Sequence, residues 1–175
     1  MLTNLGMTDI WENQRSIEIS LETFRTLVRN RSSELYEQWR INELNTNQKC
    51  TFYRLIELKS DRIQDYVKVL DYKFMVPLAR FRCRSNNMPM NRWLRNRRRS
   101  DTMPKCNLCD KNEVADEFHY VFVCTRFDAE RKTLIPVSYR SRPNILKLRA
   151  LFQCSQISVL KSLSKFVAIL QRHFD

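Results

Sequence analysis

The sequence predicts a mainly α-helical fold, a helical body into which a small Cys3His module is inserted. Three observations predict it. Apolar residues recur at helical spacing along several stretches. The 175 residues include one glycine and five prolines, too little material for a set of tight hairpin turns. Three of the six cysteines cluster with a histidine at metal-ligand spacing. A composition with 43% apolar residues supports a core, which argues against wholesale disorder.

Residues 1–18 are weakly patterned and read as a loop, and Trp11, like Trp39 and the phenylalanines, reads as a core residue. From Ser20, a preferred N-cap type, Leu21, Phe24, Leu27, Val28, Leu35 and Trp39 recur at helical spacing. A long amphipathic helix ending near Asn45-Thr46-Asn47 follows from that pattern. Residues 50–58 fit a strand or a helix equally well. Ser60-Asp61 reads as the cap of a helix reaching about Leu70, and Asp71 as the cap of another bearing Phe74, Met75, Leu78 and Ala79. Pro77 must either sit near the first turn of that helix or kink it.

From Ser85 to Lys105, Asn86-Asn87 and Pro89 suggest a turn or an irregular basic loop. Glu117 to about Leu134 reads as one helix, closed by Pro136. A short helix follows Pro143, with Ile145, Leu148 and Leu151 on one face. Ile157, Leu160, Leu163, Val167 and Leu170 give the clearest stripe of all. The organisation expected is a helical region over 1–84, a basic loop plus metal module over 85–135, and C-terminal helices over 136–175 that pack back on the body.

The metal module is written Cys106-x2-Cys109-x9-His119-x4-Cys124. Thiolate and imidazole are the donors tetrahedral Zn²⁺ prefers, and a Cys-x2-Cys turn offers two thiolates to one ion. The gap between His119 and Cys124 lies in the range that places two ligands at the start of a helix. Asp110 to Glu113 would form a polar connecting loop, and Leu108, Val114, Phe118, Phe122 and Val123 a small core beneath the ion. Asp116 or Glu117 could orient the imidazole. The competing reading is free core cysteines around a buried histidine. Four protein donors fill a tetrahedral shell and leave no place for a catalytic water, so the zinc is expected to be structural.

Charge is concentrated beside this module. Residues 1–79 hold 11 basic and 11 acidic residues, whereas 80–109 hold nine basic residues and Asp101, net +8. Residues 110–175 hold 11 basic and seven acidic residues, net +4. A localised excess is the footprint of an anion-binding face. Arg80, Arg82, Arg84, Arg92, Arg95, Arg97, Arg98, Arg99 and Lys105 are its members, with Trp93 and Phe81 interleaved. Arginine binds phosphate bidentately and stacks on bases, so contact with RNA or DNA is expected here. A solvated face or a nuclear-localisation run over Arg95–Arg99 also fits, and Trp93 could equally anchor a core.

The remaining chemistry is sparse. Cys50, Cys83 and Cys154 stand apart and read as small buried hydrophobes, not as a disulfide framework. No secretory signal opens the chain and no apolar run reaches membrane-spanning length, so a nuclear or cytoplasmic protein is expected. Asp61 and Asp65 fit a solvated helical face better than an acid/base pair, and with two histidines in all a histidine-based nuclease has little to build on.

The run Leu78–Ser85, the basic spacer, Cys106-Asn-Leu-Cys109 and Asp116-Glu-Phe-His-Tyr-Val-Phe-Val-Cys124 resemble the C-terminal region of non-LTR (LINE-like) retrotransposon reverse transcriptases. Trp11-Glu-Asn-Gln14 and Tyr36-Glu-Gln-Trp39 are similar to the segment after the polymerase domain in such proteins. The likeness spans roughly residues 5–172, and only the knuckle is specific. It implies that Cys106, Cys109, His119 and Cys124 are the ligands and that the region binds element RNA or target DNA, in company with a polymerase domain of a parent protein. No Tyr-x-Asp-Asp motif or apurinic-type endonuclease is present. After Cys124 only Asp128, Glu130 and Asp175 are acidic, too few for a restriction-like nuclease site, so no enzyme activity is expected. The alternatives are a zinc-stabilised protein-interaction module and a nuclease.

Overall fold

The computed structural model of the protein describes Gly6, Thr8, Glu12 and residues 19–56, 64–96 and 101–175. The expected loop over 1–18 (apart from those three positions), the Ser60-Asp61 cap, and Arg97, Arg98 and Arg99 lie outside the described residues. The fold is mainly helical, with no strand among the described residues. It divides into two units, 1–47 and 48–175. No described helix is long and apolar enough to cross a membrane.

The first unit carries one long helix, α1, Leu21–Thr46. Ser20 caps it as expected, its Oγ accepting the Thr23 N–H at 3.1 Å. Ion pairs one turn apart, Arg31–Glu34 at 3.1 Å and Arg40–Glu37 at 3.0 Å, support its exposed surface. No residue of α1 is fully buried, and Leu21, Tyr36 and Trp39 are more than half exposed. Apolar spacing thus predicted helicity correctly, while burial is a separate property.

The second unit is assembled from shorter helices: α2 Thr51–Ile56, α3 Asp65–Val69, α4 Tyr72–Arg82, α5 Pro89–Arg95, α6 Asp128–Leu134, α7 Val137–Arg140, α8 Ile145–Phe152 and α9 Ile157–Phe174. Most are too short to stand alone, so tertiary contacts must hold them. Of the ambiguous 50–58 segment, Thr51–Ile56 is helical because Phe52 and Ile56, one turn apart, both enter the core. Its last carbonyls are closed by side chains of α8 and of that helix's C-cap, Gln153. Arg149 donates to Leu55 O at 2.8 Å and Gln153 to Ile56 O at 2.7 Å. Phe52, Phe81 and Phe152 meet with ring centroids 5.4–5.6 Å apart, two pairs edge-to-face and one stacked.

The α9 stripe is buried at Leu160, Leu163, Val167 and Leu170, while its first member, Ile157, is exposed and Val159 is buried in its place. It packs against α4. Pro77 lies inside α4, past the first turn, and withholds the N–H that Lys73 O would otherwise accept. Two buried polar side chains of α9 bond α4 carbonyls on either side of this break: Ser164 Oγ to Phe74 O, and Gln171 Nε2 to Pro77 O at 2.9 Å.

Two expectations need correction. The stretch 85–105 is not wholly irregular, because Pro89 occupies the first position of α5, where its missing N–H costs nothing. Asn86 Oδ1 accepts the Met88 N–H at 3.2 Å, setting the entry to that helix. Nor is 117–134 one helix. The chain makes a π turn over His119–Val123, becomes extended at Cys124 (φ −61°, ψ 120°), and re-forms as a 3₁₀ turn and then α6.

Candidate metal centre

A short turn presents the first two ligands. Lys105 and Val114 form an isolated antiparallel bridge, with Cys106 N–H on Glu113 O and Ala115 N–H on Pro104 O, both at 2.8 Å. Asn112 reverses the chain in the left-handed region (φ 53°), which Asn tolerates better than most residues. The second pair rides on the π turn. Asp116 Oδ1 accepts the His119 N–H at 2.8 Å, and the Cys124 N–H reaches His119 O at 2.8 Å, five residues back. That wider turn brings His119 and Cys124 to the same face.

The donor atoms of Cys106, Cys109, His119 and Cys124 all lie within 4.8 Å of one another, close enough to bind one metal ion. Cys106 Sγ and Cys124 Sγ are 3.8 Å apart, and Cys109 Sγ and His119 Nε2 are 3.4 Å apart. Metal–sulfur bonds of about 2.3 Å around a tetrahedral centre require sulfur–sulfur edges of about 3.8 Å, with nitrogen edges slightly shorter. These two edges meet that requirement, and the remaining ones stay within 4.8 Å. Cys106 and Cys124 are buried and Cys109 is half-buried.

His119, 2% exposed, turns its Nδ1 to Glu113 Oε2 at 3.0 Å. Its Nε2 therefore faces the thiols with its lone pair available. The orienting carboxylate is Glu113 and neither Asp116 nor Glu117, because Asp116 caps the π turn and Glu117 is held elsewhere. Sequence proximity to the histidine was the wrong guide; the opposite side of the hairpin supplies the partner. Glu113→Ala is expected to lower metal affinity 10–100-fold with the fold intact, read by competition against a chromophoric chelator.

Burial pushes the Cys124 thiol up to about 12 before any cation is present. Burial also acts to raise Cys109, yet hydrogen bonds led by the Lys111 backbone hold it below its usual value. A divalent ion would draw these thiols into the thiolate form.

Two arginines tie this centre to the rest of the unit. Arg131, 5% exposed, donates to Val121 O at 2.8 Å and to Cys124 O at 2.6 Å, and pairs with Asp128. It fixes the backbone at the fourth ligand, where the helix breaks. Arg84 grips Glu117 through two bonds of 2.7 Å, and its third nitrogen lies 2.5 Å from Thr51 Oγ1. Burial raises the Glu117 carboxyl above the usual range, opposed by that guanidinium. The knuckle's own apolar core differs from expectation: Leu108, Phe118 and Val123 are half-buried against it. Val114 is exposed, whereas Ala115, Tyr120 and Val121 join Phe122 inside.

Among the described members of the predicted basic set, Arg82 and Arg84 turn inward. Arg82 is 1% exposed, donates to Phe152 O at 2.7 Å and Gln64 Oε1 at 3.0 Å, and lies over the Tyr66 ring. Spacing contained that signal: Arg82 follows Phe74 by eight and Leu78 by four, on the core face of α4. Arg84 is engaged as above. Arg95 is exposed and bonds Asn86 O and Asn87 Oδ1 at 2.9 and 2.8 Å. Arg80, Arg92 and Lys105 are exposed, and Trp93 is half-buried.

Compared with known proteins, the chain matches no family model, no curated sequence and no solved structure.

Proposed function

We propose that this chain is a nucleic-acid-binding module, the C-terminal part of a retrotransposon-derived, reverse transcriptase-like protein, stabilised by one structural zinc ion. The observation that carries the reading is the exposed cations Arg80, Arg92, Arg95 and Lys105, in a stretch of net +8 by sequence, immediately before a compact Cys3His quartet. Three thiols and an imidazole select zinc over hard cations. Their four positions leave the ion no open corner, which supports a scaffold role without catalysis. Arg80, Arg92, Arg95 and Lys105 supply the outward cations, with Trp93 as a stacking side chain. RNA or DNA is the partner, and the polymerase domain of a parent protein a second one.

Fluorescence anisotropy with labelled oligonucleotides tests this. The logarithm of affinity should fall with log salt at a slope of about −0.7 per phosphate neutralised on single strands. Arg92→Gln and Lys105→Gln should each make the slope shallower by about 0.7. An affinity indifferent to salt rejects the reading. A protein-interaction module is the second reading, favoured by the exposed Leu21, Tyr36 and Trp39 of α1. Failure to retard any RNA or DNA would select it.

A further inference from the structure

From Arg131 to Phe174 the sequence holds nine lysines or arginines and no acid. Arg131 and Arg149 point inward to backbone carbonyls, and Lys147 bonds Ser141 O. On α9, Lys161, Lys165 and Arg172 are four and seven residues apart, spacings that keep them along one side of a helix. With about 1.5 Å rise per residue this row is about 16 Å long. Lys73 of α4 joins it from across a groove.

That groove, of about 460 Å³, runs between α4, the end of α6 and α9. Its lining is apolar at Phe74, Leu134, Ala168 and Ile169, cationic at Lys73, Lys165 and Arg172, and polar at Ser164. Its volume is in the range of small-ligand clefts, roughly 300–1,000 Å³. Three ammonium groups converge on one ring: the Nζ atoms of Lys73, Lys161 and Lys165 lie 5.2, 5.9 and 5.9 Å from the Phe74 centroid. The ring face attracts each of them, while they repel one another. None of these three lysines, nor Arg172, forms an ion pair with a described residue.

We infer that the α4/α9 groove is a second binding track for a single nucleic-acid strand, with phosphates on Lys73, Lys161, Lys165 and Arg172 and sugar or base edges on the apolar lining around Phe74. This rests on the nucleic-acid reading above and extends it to a surface that the 80–105 stretch does not include. Arg80 lies two turns beyond Lys73 on α4 and joins the two regions. Lysines here act as mobile point charges, suited to a backbone without sequence choice. A polyanion gains more than a lone anion, because one chain displaces the counterions of the whole row.

The test uses the zinc-loaded full chain, a fluorescein-labelled single-stranded RNA and a salt titration of anisotropy. In Lys161→Gln/Lys165→Gln/Arg172→Gln, helicity and zinc content should stay at wild-type values. The salt slope should become shallower by about 2, and affinity should fall on the order of 10- to 100-fold at 0.1 M salt. As a readout that needs no variant, 4-thiouridine RNA should crosslink to peptides of α4 and α9. An unchanged slope in the triple variant, while Arg92→Gln/Lys105→Gln loses binding, overturns the groove and leaves the 80–105 reading standing. Crosslinks confined to 80–105 have the same effect. No binding of wild type to any oligonucleotide overturns both. Polyglutamate competing as well as RNA at matched charge overturns the nucleic-acid assignment of the groove in favour of an acidic peptide.

Discussion

Replacing Cys124 by serine is expected to abolish stoichiometric zinc binding and to unfold the segment from Lys105 to Leu134. Cys124 is wholly buried, its sulfur is 3.8 Å from that of Cys106, and its carbonyl is held by Arg131. A serine hydroxyl is a poor soft donor and leaves three ligands around an ion that needs four. Structural zinc contributes about 10–16 kcal/mol of apparent binding free energy. A whole domain is stable by only about 5–15 kcal/mol, so the rest of the unit cannot absorb that loss. Elemental analysis should give one zinc per wild-type chain and none in the variant, with far-UV ellipticity falling in parallel. Cys109→Ser should behave alike, and chelation should reproduce both. Cys83→Ser, at an exposed cysteine, is the control that should change nothing. Full zinc content in Cys124→Ser would remove the metal centre as described.

The second large effect is expected at Arg84. This residue ends α4 in the left-handed region (φ 53°). Ser85 N–H reaches Arg80 O at 2.7 Å and Arg84 N–H reaches Phe81 O at 3.1 Å, a helix stop at which glycine is the usual occupant. The strain of about 1 kcal/mol that a side chain suffers there is tolerated because the guanidinium meets Glu117, 2% exposed, and Thr51. Arg84→Ala keeps the strain and leaves a buried carboxylate alone, so destabilisation of about 3–5 kcal/mol is expected in urea titrations. Arg84→Gly relieves the backbone and should lose about 1 kcal/mol less. Gly equal to or better than wild type would mean the ion pair contributes nothing.

Much of this was legible in the chain. The quartet could be found from spacing alone, since ligand order and gaps follow from the ion's geometry. Ser20 announced α1, and the stripe from Ile157 to Leu170 announced α9, buried along that stripe from Leu160 onward. What escaped notice depended on contacts distant in sequence or on local signals that compete. Pro89 opens a helix, yet a proline after Asn86-Asn87 signals a loop equally well. The apolar pattern runs through Cys124, so nothing local marked the break that the π turn and Arg131 impose. Glu113 reaches His119 only because the hairpin folds back, which no linear spacing encodes. Arg82 and Arg84 were counted as surface cations by their type, although the position of Arg82 on the α4 face marked it as interior.

Arg82, Arg84, Arg131 and Arg149 each close backbone carbonyls or a carboxylate within the second unit. The isoelectric point of about 9.8 consequently counts cations that are not free to contact a partner. An engineer trimming positive residues to improve handling should start on the outer sides of α4, α5 and α9. Those four are rivets, and pulling them would cost solubility where the aim was to gain it.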